Sequence, residues 1–170
     1  VLLFKILEVL LQPNEEGSVS TLPGSYKEFI ALDSIPNEMF KNLIECSREI
    51  DRISRAKNLD LHLGLEPEPL GLFETTPETI QFLQTLHAQA KKEDSLRNTV
   101  GVNYDCCHLA VQGESALHGL NSLVDAGIRV SKIHLSSAVR VRPFRENLKR
   151  LEEFIEEVYL HQVVISENGN

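Results

Sequence analysis

Three short apolar segments, LHLGLE, TVGVNYD and VSKIHLS, each end near a side chain able to ligate a metal or carry a proton: Glu66, Asp105 and His134. Each segment has the length of a strand, and successive strand residues point to opposite faces. His62, Gly64 and Glu66 therefore share one face, with Leu61, Leu63 and Leu65 on the other. In the second segment Gly101, Asn103 and Asp105 oppose Val100, Val102 and Tyr104; in the third, Lys132, His134 and Ser136 oppose Ile133 and Leu135. A strand covered by helices on both faces reads as apolar throughout. One apolar face and one small or polar face instead suit a sheet with helices outside and chemistry inside.

The intervening stretches read as helices. Val1 to about Gln12 has helical apolar spacing, and SVSTL then reads as a short strand closed by Pro23 and Gly24. From Pro36 to Lys57, Met39, Phe40, Leu43, Ile44, Ile50 and Ile53 mark the buried stripe of a long helix. Thr76 is read as the N-cap of the next helix, with Pro77 at its first position. A further helix spans about Ser115 to Ala126 and stops at Gly127, and a last one runs from about Pro143 to Tyr159. This alternation predicts an α/β chain of βαβ units with a parallel sheet. Glu66, Asp105 and His134 are each separated by roughly one barrel unit, since eight units fill about 250 residues in a (β/α)8 barrel. An open sheet with a wetted polar face is the alternative. Placement of the reactive groups at the C-terminal strand ends favours the barrel.

Composition narrows the function classes. The chain has 170 residues, 42% of them hydrophobic and 25% charged, which fits one domain over residues 1–170. A net charge of -8 and a pI near 5.3 count against a nucleic-acid binder, which needs clustered Lys and Arg. No apolar run approaches the ~20 residues of a bilayer span, and VLLFKILEVLLQ carries Lys5 and Glu8 within it. Cys46, Cys106 and Cys107 are odd in number and lack CxxC spacing, an expectation of a reducing cytoplasmic setting. The chain begins without Met inside an amphipathic helix, so it reads as a piece of something longer.

Carboxylate oxygen and imidazole nitrogen suit hard and borderline divalent ions, so Glu66, Asp105 and His134 are candidate ligands for zinc, manganese or magnesium. Asp105 equally suits the N-cap of the helix that follows it. His108, three residues on, is a candidate proton carrier, as is Glu68 in LEPEP, where the alternative is a plain loop charge. Lys132 on the inner face and Arg140 or Arg142 in the following loop are candidate contacts for an anionic or polar substrate, with a solvated loop as the commoner role for the arginines. His62 is placed deep in the barrel; His87, His118 and His161 fall on or beside helices.

These residues resemble the pattern of the xylose isomerase-like TIM-barrel superfamily: a strand-end Glu (Glu66), Asp-x-x-His (Asp105 and His108 in YDCCH), then His or Gln on the next strand (His134 in KIHLSS). Within it, GSVSTLPGSYK, LGLEPEP, VGVNYDCCHLAV, AGIRVSKIHLSSAVRV and YLHQVV are similar in order and spacing to the metabolite traffic protein EboE family. The resemblance implies a (β/α)8 barrel of which this chain is about half, with an incomplete ligand set. HQVVISEN offers a rival last strand with Glu167 as fourth ligand. It further implies a metal-dependent isomerase or epimerase acting on a small polar or sugar-like metabolite. The alternatives are a non-catalytic metabolite carrier and, opposed by the charge, an endonuclease IV-like phosphodiesterase.

Overall fold

The computed structural model describes residues 1–90, 95–155, 157 and 163–165. Strands β1 (Glu16–Thr21), β2 (Asp60–Leu65), β3 (Val100–Asp105) and β4 (Val130–His134) pair in parallel in the order β1-β2-β3-β4. Between them run α2 (Asn37–Lys57), α3 (Thr76–Gln89), α4 (Ser95–Thr99), α5 (Cys106–Val111) and α6 (Ala116–Asp125); α1 (Leu2–Leu10) precedes β1 and α7 (Arg145–Leu151) follows β4. Each connection advances one strand in the same direction. A doubly wound open sheet would reverse its strand order part-way, whereas a barrel does not. The architecture is α/β, with four parallel strands consistent with part of a barrel; among the described residues the sheet does not close.

Two contacts show that the sheet curls. Adjacent strands lie about 4.8 Å apart, so β1 and β4 of a flat four-stranded sheet would be ~14 Å apart, with side chains standing roughly perpendicular to it. Yet Lys132 Nζ on β4 lies 3.4 Å from Ser20 Oγ on β1, and Arg129 Nη2 lies 3.0 Å from Glu16 Oε1. Arg129 also grips Asp60 through both guanidinium nitrogens, at 2.8 and 2.7 Å, and Glu16 reaches His62 Nε2 at 2.8 Å. This cluster fastens the N-terminal ends of β1, β2 and β4 together. His62, fully buried within it, has its pKa lowered first by burial and then by the Arg129 charge.

Leu61, Leu63, Leu65, Val100, Val102 and Tyr104 turn outward from the sheet and pack with Phe40, Ile44, Ile50 and Ile53 of α2 and Phe82, Leu83 and Leu86 of α3. Inside the curl, space is the constraint. A Cβ on Gly101 would lie 2.3 Å from the Arg129 carbonyl oxygen and 2.6 Å from Ser131 Oγ. Backbone cannot yield cheaply at such distances. Gly101→Ala is therefore expected to destabilise the fold by about 2 kcal/mol, lowering Tm by about 4–8 °C in thermal unfolding.

The elements depart from the sequence reading in three places. Thr75, not Thr76, caps α3: its hydroxyl accepts from Glu78 N–H while the Glu78 carboxylate reaches back to the Thr75 backbone N–H, a capping box. Thr99, read as the start of a strand, ends α4, where its hydroxyl pairs with Ser47 at 2.6 Å inside the core. The last helix is shorter than expected, ending at Leu151 with a 3-10 turn over Glu152–Phe154; part of the remainder lies outside the described residues. No helix among the described residues is long and apolar enough to cross a membrane.

Candidate metal centre

Glu66 follows β2, Asp105 ends β3 and His134 ends β4, and one donor atom from each lies within 4.8 Å of the other two. His134 Nδ1 is 3.2 Å from Asp105 Oδ2 and 3.8 Å from Glu66 Oε1. Adjacent parallel strands supply this convergence only if their registers agree, and a bulge makes them agree. Val102 pairs with Val130, but Asn103 pairs with Lys132, so Ser131 is an extra residue on β4. Without it Asp105 would face Ile133. With it Asp105 faces His134, and both side chains emerge on the inner face.

Asp105 divides its two oxygens between separate tasks. Oδ1 accepts from the Cys107 N–H at 2.9 Å, the His108 N–H at 3.3 Å and the Ser136 hydroxyl at 2.5 Å, capping α5. Oδ2 turns toward His134. Burial is the largest single influence on this carboxyl and pushes its pKa up. The hydrogen bonds from Ser136, Cys107 and His108, with the His108 charge, outweigh it and hold the pKa at about 2. Asp105 is thus both the cap and a charged face, so the two roles open at the sequence level are compatible.

His108 leans into the same space, its Nδ1 3.4 Å from Glu66 Oε1 and without a hydrogen-bond partner. Asp105, Cys107 and His108 form a second cluster of donor atoms within 4.8 Å. Asp105 is common to both clusters. Burial raises the pKa of the Cys107 thiol, which disfavours the thiolate a metal needs.

No protein-family model matches the chain, and no curated protein matches it. Among solved structures it is similar to a 1.8 Å crystal structure of the IolI protein with a zinc atom bound, with 16% identity and a TM-score of 0.45 over 74% of this chain and 39% of that one. The chain therefore spans well under half the length of that neighbour.

Of the other residues singled out in the sequence, Glu68 is buried in the turn after β2, 8% exposed, and belongs to neither donor cluster. Lys132 lies deeper than the ligand triad, level with Asn103, and its ammonium donates to Ser20. Arg140 is exposed in the segment between β4 and α7. Glu167 and His161 lie outside the described residues. Two residues of the site had no role assigned from sequence. Ser136 bonds Asp105, and Asn103, fully buried, sends its carboxamide nitrogen to Glu66 Oε2 and, at 3.3 Å, to His134 Nδ1. The signal for both was their place on the polar face of the strand. A cavity of about 260 Å³ lined by Ser54, Asn58, Asp60 and Asn98 lies at the opposite end of the strands.

Proposed function

We propose that the chain holds one divalent cation (zinc, manganese or magnesium) between Glu66, Asp105 and His134 and acts on a small polar, sugar-like metabolite as a metal-dependent isomerase or epimerase. The observation that supports this is the meeting of two carboxylates and an imidazole at the C-terminal ends of three adjacent parallel strands. The donor set fits: oxygen and imidazole suit these ions, and three protein ligands leave coordination positions for water or substrate. A cation bound there supplies Lewis acidity, polarising a substrate carbonyl beside a hydroxyl.

The chain's own groups then divide the remaining work. In this reading His108 Nδ1, close to Glu66 and unpartnered, takes a proton from the hydroxyl-bearing carbon beside that carbonyl and returns it to the former carbonyl carbon, while the hydroxyl proton passes to the carbonyl oxygen. Glu68 is the second candidate for proton transfer, and Lys132 and Arg140 for holding the substrate's polar groups. The test is to incubate metal-loaded protein in D2O with a panel of sugars, sugar phosphates and polyols. Deuterium at the carbon next to the carbonyl, lost in His108→Ala, is the expected result; absence of exchange across the panel would refute the isomerase reading. The alternative reading, suggested by the resemblance of LEPEP, YDCCH and SSA to the metabolite traffic protein EboE family, is a non-catalytic metabolite carrier that uses the same site. Its signature is ligand binding without exchange.

A further inference from the structure

Asn103 sits between two of the three candidate ligands. Its Nδ2 carries two hydrogens: one goes to Glu66 Oε2, and the other points at His134 Nδ1, 3.3 Å away. The facing carboxylate fixes the amide's orientation, because the opposite flip would set Asn103 Oδ1 against a negative oxygen. That orientation leaves Oδ1 buried with no hydrogen-bond partner. The amide is therefore held by its nitrogen alone, at the expense of its oxygen.

The consequence falls on the atoms opposite. In the His134 tautomer that keeps a lone pair on Nδ1, that nitrogen accepts from the amide while Asp105 Oδ2 is 3.2 Å away and Glu66 Oε1 3.8 Å away; in the other tautomer Nδ1–H donates to Asp105 Oδ2 and no ion is held. With Oε2 engaged by the amide, Oε1 is the Glu66 oxygen left to face inward. In the first tautomer three electron-rich atoms then surround one point, an arrangement that a positive ion relieves. Asn103 itself is held firmly. It lies mid-strand at 0% exposure, and the neighbouring strand has glycine beside it: a Cβ on Gly64 would come within 3.0 Å of Asn103 N and 3.1 Å of its Cβ.

We infer that Asn103 is a positioning residue, whose buried carboxamide sets which oxygen of Glu66 and which electron pair of His134 face a shared cation. This rests on the metal reading of the site. It is tested by titrating the whole chain with Co²⁺ and recording both affinity and the visible d–d absorption, which reports ligand geometry. Asn103→Leu and Asn103→Ser are compared with wild type, each checked for its apo fold by circular dichroism; the smaller Ser adds no bulk should Leu fail to fold. The expected result is Co²⁺ binding by wild type and binding about 10–100-fold weaker, with an altered spectrum, in the folded variants. Variants matching wild type in affinity and spectrum would overturn the role of Asn103 and leave the metal site standing. A wild-type chain that takes up no Co²⁺ would overturn the metal reading and this inference with it.

Discussion

Glu66→Gln is expected to weaken divalent-ion binding by more than about 100-fold while leaving the apo fold in place, because it removes a candidate ligand directly, where loss of a mere supporting group already costs 10–100-fold. The substitution preserves side-chain volume and the backbone bond from Glu66 N–H to the Thr21 carbonyl at 2.9 Å. What changes is the atom facing inward. Asn103 donates to one oxygen of Glu66, so the amide of the variant satisfies that donor with its own oxygen and turns its NH2 toward His134 and Asp105. A donor then stands where an electron pair is needed, and one of the two negative charges at the point of convergence is gone. Isothermal titration with Mn²⁺ or Zn²⁺, alongside thermal unfolding of the apo protein, measures both halves of the expectation. Equal affinity in the variant would remove Glu66 from the ligand set.

The strands and their inner faces were legible because period-two alternation is a local property: GVNYD and LHLGLE disclose which residues share a face without reference to anything distant. The level at which those faces meet is not local. Ser131 looks like any strand residue, and only its pairing against β3 reveals it as the bulge that brings His134 opposite Asp105. Asn103 was placed on the correct face but given no task, since its partners lie 37 and 31 residues away and depend on that register. The capping shift from Thr76 to Thr75 has a similar origin. Both residues can cap, and the position of Glu78, three residues after Thr75, decides which one gains the reciprocal bond. Alternation marks Ile133 and Leu135 as apolar-face residues to be covered by helices; Ile133 on β4 is 45% exposed, and Leu135, just past the end of the strand, 93%. Alternation specifies a face, and covering it is the work of another element.

Asp105→Asn separates the structural from the chemical role of one side chain. The folded carboxyl has a pKa of about 2 against an ordinary 3.8, so the folded state binds a proton less readily than the unfolded chain. The stability this contributes is therefore complete above about pH 4 and is lost as pH falls from 3.8 toward 2, amounting to roughly 2 kcal/mol at one pKa unit per 1.36 kcal/mol. Asn is as good an N-cap as Asp, so the variant's amide oxygen still accepts from the Cys107 and His108 N–H groups and α5 keeps its start. The charge does not survive. Urea unfolding is expected to show wild type losing about 2 kcal/mol more than the variant between pH 4.5 and pH 2, and the variant lowered by a similar amount at pH 7. At pH 7 the variant is also expected to bind Mn²⁺ or Zn²⁺ more than about 100-fold more weakly, because an amide NH2 or a neutral oxygen replaces the anionic Oδ2 beside His134. Parallel pH profiles for the two proteins would show that the carboxylate charge does not stabilise the fold. Retained ion binding would show that Asp105 serves only as a helix cap.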